Sequence, residues 1–227
     1  LRSLRVHIDL GPRAYDVRVA AAGAAFVAAA LSRLRRPLCV VTDAHVRSLW
    51  WPALAGALRR AMGTVPPVVV VPAGEGSKSP AMAARLHRAL LRHGVDRGTC
   101  VVAFGGGVVG DLAGYAAATY MRGVDWVVVP TSLLAMVDAA VGGKTGINLD
   151  GTKNIVGAFH QPRAVLIATE FLRTLPVRHR QSGLGVVVMY GMFAVGGLFA
   201  WLERVARAWR APRARADARL VARCCRI

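Results

Sequence analysis

The sequence predicts an α/β protein: a parallel sheet with crossover helices over residues 1–176, then the start of an all-helical domain over residues 177–227. Three observations carry this. From residue 38 onward, short β-branched runs alternate with longer Ala- and Leu-rich runs, the pattern of strands returned by helices. A glycine cluster, Gly105-Gly106-Gly107-Val108-Val109-Gly110-Asp111, directly follows a continuous apolar run. After Leu175-Pro176 strand-like runs cease and the composition becomes helical.

In chain order, Leu4 to Leu10 and Tyr15 to Val19 alternate around Gly11-Pro12-Arg13, a hairpin signal. Ala21 to Leu34 is helical by composition. Leu38 to Val41 is a short buried strand ending at Thr42-Asp43, and such strand ends are where open α/β sheets bind ligands. Asp43 is placed to cap a helix over Val46 to Met62. Val68 to Val71 is the next strand, and the loop Pro72 to Lys78 opens onto a helix from Pro80 to His93. Thr99 to Phe104 is a strand, and Gly105, Gly107 and Gly110 after it satisfy G-x-G-x-x-G in a Rossmann-like setting. Glycines there let the backbone approach a pyrophosphate at a helix N-terminus, although a tight structural turn has the same composition.

Val124 to Val129 is a further strand closed by Pro130-Thr131-Ser132, whose hydroxyls either cap the next helix or meet a ligand. The helix from Leu133 carries Asp138 within the apolar stretch Ala135 to Val141. An unpaired buried carboxylate is costly, so Asp138 calls for a cation, a metal or a substrate hydroxyl. The partner is either Lys144 alone or a richer polar pocket. Ala164 to Ala168 is the last strand. Helices follow from Gln181 to Ala208 and from Ala214 to Arg226, with the arginines from Arg204 to Arg226 read as a solvated face.

Composition adds an independent pointer. Of 30 Lys+Arg residues only Lys78, Lys144 and Lys153 are lysine, and the only asparagines are Asn148 and Asn154. A chain this biased toward Arg keeps lysine where a compact ammonium fits and a planar guanidinium does not. Two of the lysines and both asparagines fall within the eleven residues 144–154, which marks that stretch for chemistry.

The net charge of +18 calls for an anionic partner: nucleic acid, anionic lipid or a phosphorylated substrate. Nucleic acid is disfavoured, because the arginines lack interleaved aromatics and no nucleic-acid motif appears. Cys39, Cys100, Cys224 and Cys225 show no C-x-x-C spacing, which reads as a reducing, cytoplasmic compartment without a disulfide framework. Polar residues interrupt any apolar run near the N-terminus, so no signal peptide is read there. Gln181 to Leu202 is uncharged over 22 residues, flanked by Arg178 and Arg180 and by Arg204 and Arg207. Its length suits a spanning helix, but its glycines and polar start make it a poor one.

Five stretches together resemble the 3-dehydroquinate synthases. They are Gly105 to Gly114, Thr119 to Gly123, Pro130 to Asp138, Gly142 to Asn148 and Lys153 to Pro162. Weaker resemblance runs from the first hairpin to Glu203. Other sugar-phosphate cyclases share the scaffold, and Gly142-Gly143-Lys144-Thr145-Gly146 looks like the dehydroquinate branch. The resemblance implies a carbon–oxygen lyase that uses NAD and a divalent metal, zinc or cobalt. It would convert 3-deoxy-D-arabino-heptulosonate 7-phosphate, a phosphorylated sugar acid, to 3-dehydroquinate and phosphate in the shikimate pathway. The implied course is oxidation by NAD, phosphate elimination, re-reduction, ring opening and aldol closure, with NAD returned unchanged.

Position by position, the resemblance implies cofactor contacts at Asp43, Glu75, Lys78, Gly105, Gly106, Gly107, Gly110, Asp111, Thr131 and Ser132. It implies catalytic or substrate contacts at Asp138, Lys144, Lys153 and Asn154. Arg122 resembles a phosphate-binding arginine that reaches across a homodimer. The chain departs from the family at Gly185-Val186-Val187-Val188-Met189-Tyr190-Gly191, where the family has Ala-Glu-Val-Ile-Lys-Tyr-Gly. Val186 cannot ligate a metal and Met189 carries no ammonium, so no metal ligands are expected in this chain and its activity is expected to be impaired. Three further readings stand beside the active lyase: a non-catalytic NAD-binding remnant, another sugar-phosphate cyclase, and a membrane-associated basic protein.

Overall fold

A computed structural model describes residues 3–194, 197–206 and 214–227. Arg207 and Ala208, placed by sequence in the first terminal helix and its flank, lie outside the described residues. The chain opens with an antiparallel hairpin of β1 (Leu4–Ile8) and β2 (Tyr15–Ala20), in register Leu4↔Val19 and Ile8↔Tyr15. Four strands follow: β3 (Leu38–Asp43), β4 (Val68–Val71), β5 (Cys100–Gly105) and β6 (Trp126–Pro130). A separate two-stranded hairpin, β7 (Lys144–Leu149) and β8 (Thr152–Phe159), precedes β9 (Ala164–Ala168). The main sheet has the order β1-β2-β9-β6-β5-β3-β4 and is parallel from β2 to β4.

That order decides where a ligand can sit. The chain leaves β3 through α2 (Ala44–Met62) to β4 on one side, then returns through α3 (Pro80–Arg92) to β5 on the other. Connections departing in opposite directions leave a crevice above the carboxyl ends of β3 and β5. The strands lining it are buried on both faces, as a parallel sheet requires. Val40, Val41, Val102, Phe104, Val127 and Val129 are all within 3% of full burial. Leu54 and Leu58 of α2 and Leu86 and Leu90 of α3 close over them, each fully buried side chain contributing about 1.5–3 kcal/mol.

The remaining helices of this unit are α1 (Ala24–Ser32) and α4 (Gly107–Thr119). α4 packs against the β7–β8 hairpin, and the close approach depends on Gly114. A Cβ there would lie 2.5 Å from Thr145 Cγ2 and 2.7 Å from the Trp126 ring. No strand is expected from the sequence over residues 144–159, yet β7 and β8 form. Glycines at 146 and 157 face each other in the ladder, and they remove the alternating pattern that marks a strand while permitting the contact. A Cβ on Gly157 would stand 2.2 Å from the Thr145 carbonyl oxygen.

After β9 come α5 (Val177–Phe193), α6 (Leu198–Ala206) and α7 (Ala214–Cys224). α7 folds back onto the face of β1 and β2, burying Ala218, Leu220, Val221 and Ala222. Asp217 of α7 is bonded by Arg180 of α5 at 3.0 and 2.9 Å, a buried pair that fixes the two helices together. The uncharged stretch from Gln181 to Leu202 breaks between α5 and α6, and among the described residues no helix is long and apolar enough to cross a membrane.

Two glycine substitutions test the packing in opposite directions. Gly114→Ala forces α4 off the Trp126 ring and Thr145, so it should destabilise the chain by about 1–3 kcal/mol in urea unfolding. Gly56→Ala, inside α2 with only Arg60 Nη1 at 3.7 Å, should stabilise it by about 0.5–1 kcal/mol.

Candidate functional site

Two cavities meet behind the carboxyl ends of the strands. The larger, about 780 Å³, fills the crevice above β3 and β5, and the smaller, about 460 Å³, lies between the π-helical turn Ala135–Ala139 and the β7–β8 hairpin. Asp111, Ala139 and Asn154 line both.

The floor of the larger cavity is the start of α4. Gly106 is its N-cap residue and provides no side-chain cap, so the first backbone N–H groups of the helix are left for a ligand. Gly106 and Gly107 line the cleft, and Gly107 keeps it open, with only the Ala139 Cβ at 3.7 Å from where its own would stand. Gly105 serves differently. It is the last residue of β5 rather than part of the loop, and a Cβ there would collide with Val109 at 2.5 Å. Gly110 lies within α4, its N–H bonded to the Gly106 carbonyl at 3.0 Å, and does not line the cavity.

Asp43 ends β3 and accepts from the Val46 N–H at 2.8 Å, so it caps α2 while facing the cleft. Thr131 and Ser132 line the same cleft, and the Ser132 hydroxyl also accepts from the Ala135 N–H at 3.4 Å. For Ser132 both a capping and a ligand-facing role are therefore geometrically available, whereas Thr131 is shown only lining the cleft. Lys153 lines the larger cavity and Lys144 the smaller.

Lys78 lines the larger cavity and bonds two of the side chains that line both, Asp111 and Asn154. Its side chain is 4% exposed, and its ammonium donates to Asp111 Oδ2 at 2.6 Å and to Asn154 Oδ1, with Glu75 Oε1 at 3.9 Å. Asn148, in the second strand position from the hairpin tip, ties the same loop down. Its backbone N–H donates to the Lys78 carbonyl at 2.8 Å, its amide donates to Glu75 at 2.9 Å, and its side-chain oxygen accepts from the Asn154 N–H at 2.9 Å. Asn154 holds a left-handed backbone, φ +56°, a conformation that asparagine tolerates better than most residues. Burial pushes the Asp111 carboxyl above its ordinary range against the pull of Lys78, with Glu75 and Asp138 adding to the rise.

Asp138 does not occupy the buried position expected of it. The π-turn carries it outward to an exposed place on the wall of the smaller cavity. Its partner is Tyr190 of α5, whose hydroxyl donates to Oδ1 at 3.0 Å, and no ion pair with Lys144 forms. Burial, that hydrogen bond and the carboxylate charge push the Tyr190 phenol up to about 12. Tyr190 and Asn148 are absent from the site residues read in the sequence. Asn148 had a signal, since the chain has only two asparagines, whereas nothing local marks Tyr190 as a partner of a residue 52 positions away. Arg122 lines neither cavity. It is exposed and follows Met121 with both backbones left-handed, φ +65° and +51°.

The family model for the 3-dehydroquinate synthase N-terminal region matches residues 68–182. A 3-dehydroquinate synthase of Desulforamulus reducens is 44% identical over 201 residues, covering 88% of this chain and 56% of that protein. One of Paracoccus denitrificans is 47% identical over 203 residues, covering 87% of this chain and 54% of that protein. Among solved structures, the 2-epi-5-epi-valiolone synthase of Streptomyces hygroscopicus with NAD+ and Zn2+ bound superposes with a TM-score of 0.83 at 30% identity. The match covers 99% of this chain and 62% of that one. A 2-deoxy-scyllo-inosose synthase, complexed with carbaglucose-6-phosphate, NAD+ and Co2+, shares the fold with a TM-score of 0.81 at 23% identity, covering 98% of this chain and 60% of that one. The chain thus spans little more than half the length of its curated relatives. It belongs to the 3-dehydroquinate synthase family.

Removing the central cation has a signed consequence. Lys78→Met leaves Asp111 without its counter-charge and should cost about 3–5 kcal/mol of stability at neutral pH. A carboxyl whose pKa is raised by folding binds its proton more tightly in the folded chain, so its ionised form opposes folding above that pKa. The deficit against the wild type should therefore shrink as pH falls through the raised Asp111 pKa, measured by urea unfolding at neutral and mildly acidic pH. A deficit independent of pH would remove Asp111 from the explanation.

Proposed function

We propose that this chain is the dinucleotide- and substrate-binding half of a 3-dehydroquinate-synthase-type lyase, with residues 1–176 the NAD-binding domain and 177–227 the beginning of a helical domain. The substrate on this reading is 3-deoxy-D-arabino-heptulosonate 7-phosphate, released as 3-dehydroquinate and phosphate. The observation that carries it is the Asp111–Asn154 pair, held by Lys78, which forms a common wall for the cleft above β3 and β5 and a second cavity lined by Lys144 and Asp138. A plain nucleotide-binding module has no need of the second space.

On this reading the unpaired N–H groups at the start of α4 receive the pyrophosphate of NAD, with Asp43 and Glu75 as acceptors for its hydroxyls. Bound NAD supplies a hydride acceptor that later returns the hydride. Lys144 and Asn154 offer donors to the phosphorylated substrate in the smaller cavity, Lys153 offers one from the adjoining cleft, and Lys78 holds Asp111 and Asn154 in place. Asp138, fixed by Tyr190, presents a carboxylate to the substrate space. Arg122, outside both cavities, is assigned to the cavity of a second protomer in a homodimer. A cytoplasmic location belongs to this reading, supported by the four cysteines, which form no disulfide and suit a reducing compartment.

A divalent metal does not fit the residues present. Among the described residues no group of three or more His, Cys, Asp or Glu side chains could hold one, Val186 offers no donor to a cation, and Met189 carries no ammonium. No step is therefore routed through a metal. Val186 and Met189 favour a second reading, a chain that binds NAD without turning over.

Calorimetric titration of NAD into the chain separates these readings from neither being true. Micromolar affinity is expected in the wild type and should be lost in Gly107→Val, whose side chain fills the cradle. If NAD binds but no phosphate is released from the heptulosonate phosphate with added zinc or cobalt, the non-catalytic reading holds. Absence of NAD binding would overturn both.

A further inference from the structure

We infer that the protein carries a second anion site, at the opposite end of the sheet from the cofactor cleft, which takes a small molecule bearing a phosphate group. The site is a groove of about 440 Å³ walled by the β1–β2 hairpin, the end of α1 and the starts of β6 and β9. Val127 and Ala164, near the amino ends of those parallel strands, form its floor, whereas the dinucleotide cleft lies beyond carboxyl ends. The two are separated by the length of the sheet.

The groove gathers cations that the protein does not neutralise. Antiparallel register sets Arg5 opposite Arg18 and His7 opposite Asp16. Like charges directly opposite are destabilising unless something intervenes. Arg5 turns diagonally to Asp16 Oδ2 at 2.8 Å, and His7 Nδ1 meets Asp16 Oδ1 at 2.9 Å, so both carboxylate oxygens are engaged. Arg163, also in the wall, is spoken for by Asp125, which Arg36 bonds as well. Arg18 and Arg33 are left with no ion pair or hydrogen bond among the described residues. Arg18 is only half-exposed, so water does not fully replace a counter-ion there.

Four guanidinium groups thus line a concave space; Arg5 and Arg163 are paired with Asp16 and Asp125, and among the described residues no further carboxylate lines it to meet Arg18 and Arg33. A concave surface with an excess of one sign of charge focuses the field and concentrates an oppositely charged ligand. Guanidinium forks match the oxygens of phosphate in two-point geometry, which makes phosphate the fitting chemistry. The groove's volume limits the occupant to a small molecule or a single phosphorylated group.

Pyrophosphate is the probe, titrated calorimetrically at constant ionic strength into the full chain carrying Gly107→Val, so that the cofactor cleft does not contribute. Saturable binding is expected, weakened roughly tenfold or more when Arg18→Ala and Arg33→Ala are added. Arg33→Ala alone, at an exposed position at the end of α1, should weaken it several-fold. Equal affinity with and without the two arginines would overturn the site, as would a response that sodium chloride reproduces at the same ionic strength or no saturable binding at all.

Discussion

The ammonium of Lys78 holds the functional end of this molecule together. Burying a cation to 4% exposure is unfavourable unless its charge and its donors are met. Here a carboxylate from α4 and an amide oxygen from β8 converge on one point, with Glu75 just outside direct contact. A lysine can accept convergent partners from three directions, whereas a planar guanidinium would need a wider slot. The loop after β4, the start of α4 and the β7–β8 hairpin are pinned by this one group, and Asn148 adds three hydrogen bonds to the same junction.

The rest of the site follows from topology. Because β4 and β5 lie on opposite sides of β3, the crevice opens above Asp43 and the start of α4, and the glycine run at 105–107 must keep it clear. Only Gly106 and Gly107 line the space, while Gly105 avoids a collision with Val109. A four-glycine motif thus divides into residues that meet a ligand and residues that let the strand and helix pack.

Much of this was legible in the sequence because its signals were local. Apolar and alternating runs mark all seven strands of the main sheet within two residues at each end, and Asp43 caps α2 as its place before the helix predicts. The rarity of lysine and asparagine marked the 144–154 stretch, and Lys78, the third lysine, proved to bond Asn154 across 76 residues. What was hidden depended on distant pairing. The β7–β8 hairpin is masked by the glycines that let it form, and the outward turn of Asp138 is set by a π-turn and by Tyr190 on a later helix. Apolar side chains at Met192 and Phe193, 63% and 81% exposed, lie on that same helix. They are consistent with a chain that matches little more than half of its relatives' length.

The most direct measurement is a double-mutant cycle on Lys78→Met and Asp111→Leu, read by both urea unfolding and NAD titration. If the ammonium is the common anchor of both cavities, the double variant should be far less impaired in stability than the sum of the single ones, a coupling of about 1–3 kcal/mol, because removing both leaves no unpaired charge. NAD affinity should fall in every variant. Additive losses, with NAD affinity unaffected by Lys78→Met, would contradict the account and leave Lys78 a buried cation with no part in holding the wall between the two cavities.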